Sequence, residues 1–172
     1  ARYAFIASSI LRDLEDLEIL SSKRKHEFDR CISTTPKMLM NDLKNEDEKY
    51  LSKKYGHLRP SSYDITSKSY RDRSGIFSRS GPTKPIHTDR FQWSVQEVST
   101  IEVLLKDHGI TCQVADLLSF LKEALESREL AKFEFMKAVD DILESLVEFG
   151  AVHGFKRDQL EYLRLDEVLS LF

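Results

Sequence analysis

The amino-acid sequence predicts an all-α protein, an irregular helical bundle interrupted by one long basic loop. Three observations lead there: apolar residues recur at steps of three or four over most of the chain, no stretch alternates at period two for long, and Pro and Gly gather in one internal tract. With 172 residues the chain has the length of one domain, and a chain of that size buries roughly 70% of its unfolded surface. The apolar fraction of 41% and charged fraction of 32% exclude disorder throughout.

Tyr3, Ile6, Ile10, Leu14 and Leu17, widened by Ala7 and Leu11, predict an amphipathic first helix ending near Ser21 and Ser22. Phe28, Ile32, Leu39 and Leu43 predict a second, in which Pro36 imposes a kink or break, or a restart capped by Thr35. A short third helix from about Glu46 to Tyr55 ends at Gly56, read as the left-handed residue after a helix. From His57 to Trp93 the period vanishes and Pro60, Gly75, Gly81, Pro82 and Pro85 mark a long loop, a functional lid or binding loop or else a mobile segment. Within it Lys68, Arg71, Arg73, Arg79, Lys84 and Arg90 outnumber Asp72 and Asp89 by four, a local basic island.

Ser94 and Glu97 stand at capping-box spacing before Val98, Ile101, Leu104 and Leu105, and Gly109 terminates that helix. From Gln113 the pattern runs through Leu121, Phe133, Met136, Val139 and Leu146 without Pro or Gly, as one long helix or two, until Gly150 and Gly154. A short turn and helix from Leu160 to Phe172 is expected to close the fold, and no internal repeat is visible.

The net charge of −3 gives the whole chain no strong attraction to polyanions, so an anion site has to be local. Cys31 and Cys112 are isolated and match neither a zinc site nor a disulfide framework, so no metal is expected. No apolar run approaches the roughly 18 residues of a membrane span, and no signal peptide is evident. The expected setting is cytoplasmic without a membrane partner. Starting at Ala1 and stopping on Leu171 and Phe172, the chain reads as a fragment of a larger multidomain protein.

Arg128 and Lys132 are four apart, so a helix places them on one face, where like charges repel and a bound anion relieves the repulsion. They form a candidate clamp for a phosphoryl group, a planar fork beside a point charge. Glu126 and Glu129 offer the alternative of an ordinary solvated ion-pair face. His57 and Arg59 follow Gly56 and precede Pro60, so a loop presents them, with Asp64 and Thr66 close behind. There the alternatives are a helix-capping His57 and a turn-capping Asp64. His26, His87, His108 and His153 are isolated and read as structural or surface residues. No glycine-rich phosphate cradle, serine nucleophile elbow or Cys/His pair exists, so this chain alone is not expected to bind ATP. Tyr70, Phe77, Phe91 and Trp93 interleave with the basic island, a weak single-strand nucleic-acid signature set against a loop packed by its own rings. Nucleic acid is not an expected partner.

Four runs, Ala1 to Arg12, Tyr55 to Ser67, Arg128 to Phe133 and Arg157 to Leu163, resemble in order the central helical region of phosphoenolpyruvate synthase-like phosphotransferases, the group that includes pyruvate phosphate dikinase and rifampin phosphotransferase. The likeness is least distinctive between Lys68 and Trp93. In that family an ATP-binding domain phosphorylates a histidine on a swivelling domain, which carries the phosphoryl group to an acceptor site. The resemblance implies that this chain is the acceptor-substrate or linker domain, inactive alone. The ATP-binding and phosphohistidine domains would lie elsewhere in the same full-length chain, with ATP and Mg as cofactors of the whole enzyme and a small molecule as acceptor. It implies catalytic roles for Arg128 and Lys132 near the transferring phosphate, and positioning of acceptor or loop by His57, Arg59 and Asp64. The chain departs from the family at Ser61 and Ser62, where Gly-Thr is common, and at Met136, where a small polar residue is common. The rival expectations are a non-catalytic helical interaction module with a basic docking loop, and a spacer between catalytic domains.

Overall fold

The computed structural model describes residues 2–78, 90–164, 166, 167 and 170. They form α1 (Arg2–Asp16), α2 (Ser22–Cys31), α3 (Thr35–Asn45), α4 (Glu48–Tyr55), α5 (Val95–Asp107) and α6 (Val114–Val152), with 3-10 turns at Tyr70–Asp72 and Arg157–Tyr162. No strand occurs among the described residues, and the architecture is all-α as the periodicity predicts. No helix among them is long and apolar enough to cross a membrane. The fold has two compact units, with divisions inside α3 after Met38 and inside α6 after Ala131. The sequence leads one to expect a single helical domain over residues 1–172; α3 and α6 each continue across a division between the two units.

In the first unit the buried face of α1 is Ala4, Ala7, Leu11 and Leu14, packed with Leu20, Phe28, Ile32, Ile101, Leu105 and Leu121. This corrects the predicted stripe. Tyr3, Ile6 and Leu17 are 70%, 49% and 56% exposed. The small side chains at positions 4 and 7 turn inward, and Tyr3 lies edge-on to Phe120 at 6.3 Å. α1 also ends earlier than the predicted Ser21 and Ser22. Glu18 takes the left-handed conformation (φ 56°), its N–H donates to the Glu15 carbonyl at 2.9 Å, and the Ile19 N–H donates to the Leu14 carbonyl at 3.0 Å. That pattern is a Schellman cap with a glutamate where glycine is usual, so no glycine marks it in the sequence.

Of the outcomes open at Pro36, the structure takes the break and restart. α2 stops at Cys31, and α3 begins at Thr35 with Pro36 in its first turn, where a missing N–H costs nothing. α5 carries the predicted capping box: the Glu97 N–H donates to Ser94 Oγ at 3.2 Å, and the Ser94 N–H to Glu97 Oε2 at 2.7 Å. Glu97 also receives a two-pronged bond from Arg24 (Nε and Nη2, each 3.0 Å), tying α2 to α5. The Arg24 guanidinium lies 4.2 Å from the centre of the Phe91 ring. The long apolar run from Val114 is one helix of 39 residues.

In the second unit Leu51, Tyr55, Phe77, Phe133, Met136 and Leu160 are buried. The Tyr55 hydroxyl donates to Asp42 Oδ2 at 2.8 Å; burial, then the Asp42 carboxylate, pushes its pKa up to about 12. Gly56 is not left-handed as predicted but lies in the right-handed region (φ −57°). Close approach explains it: an added Cβ would collide with the Ser52 carbonyl and sit 3.2 Å from Arg71 Cβ. Gly150 likewise admits Leu160, whose Cδ2 would lie 2.7 Å from a Cβ there. The closing segment begins as the 3-10 turn Arg157–Tyr162; the end of the predicted Leu160 to Phe172 element falls largely outside the described residues.

A non-glycine residue in the left-handed region is strained by about 1–2 kcal/mol. Glu18→Gly removes that strain but loosens the unfolded chain, so a net gain of about 0.5–1 kcal/mol is expected in urea denaturation.

Candidate functional site

The segment after α4, expected to be structureless, is ordered over residues 57–78. The Tyr70 N–H donates to the Leu58 carbonyl at 2.7 Å and the Arg71 N–H to the Gly56 carbonyl at 3.1 Å, closing the chain on itself. His57, Arg59, Ser67, Ser69 and Phe77 are buried. A loop with this many inward polar groups needs partners for them: Ser67 and Ser69 find theirs within the loop, at the Ser61 N–H and at Asp72, and Arg59 finds carboxylates on α6.

Arg59 has a fully buried side chain, and so has Asp140 of α6. The Arg59 guanidinium donates through Nη2 to Asp140 Oδ1 and, at 3.1 Å, to Glu144 Oε1, and through Nη1 to the Ser67 carbonyl at 3.0 Å. Arg71 donates to the second oxygen of Asp140, and Arg157 to Glu144 Oε2 and, at 3.0 Å, to the Ile65 carbonyl. Asp140 and Glu144 stand one turn apart on α6, so both carboxylates reach the same side. Three arginines from separate segments thus meet two carboxylates on one helix. Burial raises the Glu144 pKa, but the hydrogen bond and charge of Arg157, with those of Arg59, outweigh it and hold the carboxyl below its ordinary value.

His57 is 5% exposed, and its ring meets Phe133 edge-on at 4.7 Å. Burial lowers its pKa, and the charges of Lys137 and Arg71 push the same way against the Phe133 carbonyl and Asp140. Its Nε2 is buried without a hydrogen-bond partner among the described residues. Asp64 caps a turn: its Oδ1 accepts from the Thr66 N–H at 2.8 Å and the Thr66 hydroxyl at 2.6 Å. Those bonds lower its pKa. It also lines, with Tyr63, Ile65, Phe149 and Leu160, a largely apolar cavity of about 320 Å³. His57, Arg59 and Asp64 therefore turn to three different partners, Phe133, Asp140 and Thr66.

Arg128 and Lys132 both lie on α6 and are exposed. Arg128 bonds its neighbour Glu129 through Nη2 at 3.0 Å, one of the two glutamates weighed as a partner, and Lys132 makes no ion pair among the described residues. Arg128 also lines an open groove of about 620 Å³ with Tyr3, Phe120 and Ser127. Of the basic island, Arg71 is engaged by Asp140 and the Arg73 side chain donates to the Lys68 carbonyl at 3.2 Å. Arg79 and Lys84 lie outside the described residues. Phe91 and Trp93 pack on Phe28, at 5.3 and 5.6 Å, rather than standing free to stack on bases.

Sequence reasoning missed Asp140, Glu144 and Arg157 as partners of Arg59. The available signal was the pair of carboxylates four apart on the apolar side of a helix. Among the described residues no group of three or more His, Cys, Asp or Glu is arranged to hold a metal ion. No protein-family model, curated protein or solved structure matches the chain.

Removing one partner of a buried ion pair strands the other charge. Asp140→Asn is expected to lower the unfolding free energy by about 3–5 kcal/mol in urea titrations at neutral pH. Glu144 has a depressed folded pKa, so its contribution is present above its ordinary value of 4.5 and is lost as pH falls through the folded value. Thermal melts of Glu144→Gln should thus converge on the parent protein in acid and separate from it above that window.

Proposed function

We propose that the chain is the helical acceptor or linker domain of an ATP-dependent dikinase-type phosphotransferase similar to phosphoenolpyruvate synthase. In this reading Arg128 and Lys132 neutralise charge on a phosphoryl group delivered by a phosphohistidine domain of the same full-length protein. The observation that carries the reading is that these two cations, four apart on α6, are exposed and not drawn into the buried arginine network. Arg128 is held only by an exposed contact to its neighbour Glu129, and such pairs contribute little, so an incoming dianion displaces it easily. Lys132 has no carboxylate to leave among the described residues.

Phosphoryl transfer depends chiefly on positioning and on fixed positive charge, so a domain without a nucleophile can still accelerate it. Arg128 supplies a planar pair of donors and Lys132 a mobile point charge. The buried network gives Arg59 a positioning role, holding the 57–78 segment on α6 rather than touching the acceptor. ATP and Mg belong to another domain of the full-length enzyme, and a small molecule is the acceptor.

In the full-length enzyme, Arg128→Gln and Lys132→Gln are each expected to slow ATP-dependent product formation by about 10²-fold, the usual loss for one transition-state charge partner. Thermal unfolding should not change, because both positions are exposed. Unaltered turnover in both variants removes the assigned role.

A further inference from the structure

The second unit carries an open groove of about 930 Å³ whose walls include Lys49 and Lys53 of α4, Lys137 of α6 and Arg71 of the 3-10 turn. Lys49 and Lys53 are four apart, so they share a face of α4 and repel each other, and neither makes an ion pair among the described residues. Lys137 pairs with Glu134 at 2.7 Å in an exposed contact, and Arg71 keeps 46% of its side chain exposed although one nitrogen is on Asp140. Glu48 and Asp141 are the carboxylates on the same walls; with Glu134 on Lys137 and Asp140 on Arg71 the charges balance, and Lys49 and Lys53 are the two lining cations without an ion pair among the described residues. His57 lines the groove as well, and its Nε2 is the buried, unpartnered atom described above.

We propose that this groove is a binding site for a small phosphate ester, with Lys49 and Lys53 neutralising the phosphoryl group and His57 Nε2 bonded to one of its oxygens. Lys49 and Lys53 offer two unengaged positive charges to a phosphoryl dianion, which carries about −1.5 to −2 at neutral pH. A nucleic-acid strand would need a longer cationic track than one closed off by Glu48 and Asp141. The rigid edge-on contact with Phe133 presets the imidazole, and in its charged form both ring nitrogens donate, one toward the Phe133 carbonyl and one to the ligand. The dianion supplies the negative charge that favours that form against Lys137 and Arg71. This site does not depend on the role given to Arg128 and Lys132.

The test uses inorganic phosphate on the full chain, by calorimetry and by following the His57 ring resonances, with sodium chloride at matched ionic strength as the control. Saturable binding is expected, with the His57 resonances moving along the same isotherm. Lys49→Gln combined with Lys53→Gln, both at exposed positions, should weaken it by about tenfold or more, and Lys122→Gln, exposed on α6 and outside both sites, should leave it unchanged. An equal response to chloride, parent-like affinity in the double variant of unchanged circular dichroism, or His57 resonances that stay still at saturation would each overturn the proposal.

Discussion

A guanidinium with no solvent exposure has to be matched by carboxylate, and Arg59 is such a group. The rest of the second unit follows from that requirement. Asp140 is buried on the inner side of α6 because Arg59 is there to neutralise it, and one turn on, Glu144 accepts from the same guanidinium nitrogen, Nη2. Arg71 and Arg157 bring two further guanidiniums to the same carboxylates, and both keep part of their side chains in solvent. The segment from His57 to Phe77 packs on α6 because Arg59 finds carboxylates there, not because it has an apolar period of its own.

The first unit solves a smaller version of the same problem. Glu97 caps α5 by accepting the Ser94 N–H on its carboxylate and simultaneously takes the Arg24 fork, so one carboxylate sets both the start of a helix and its junction with α2. Phe91, Trp93 and Phe28 close over that pair, which keeps the loop aromatics in the core.

These networks sort the cations by what remains free to act. Arg24, Arg59, Arg71 and Arg157 are engaged by carboxylates from other segments, whereas Lys49, Lys53 and Lys132 make no ion pair among the described residues and Arg128 has only its neighbour. A cation held in a buried pair stabilises the fold and cannot be withdrawn for a substrate without a large cost. A solvated one can be. The residues that look most like binding groups in the sequence, His57 and Arg59, are therefore divided: Arg59 holds the architecture together, and His57 faces a groove ringed by the unengaged lysines.

The sequence by itself determined most of the helices, the capping box at Ser94 and Glu97 and an interruption at Pro36, because each is written within a few consecutive residues, and it held the restart there and the Asp64 turn among its alternatives. What it left open or misplaced was the inward face of α1, the cap at Glu18, the reason for Gly56 and the partner of Arg59. Tertiary structure decided these, since Asp140 lies 81 residues from Arg59 and no local period records such a pairing. Whether Ala4 or Tyr3 turns inward depends likewise on how closely another helix approaches. Local propensity acts along the chain, whereas burial of charge and close packing act across it.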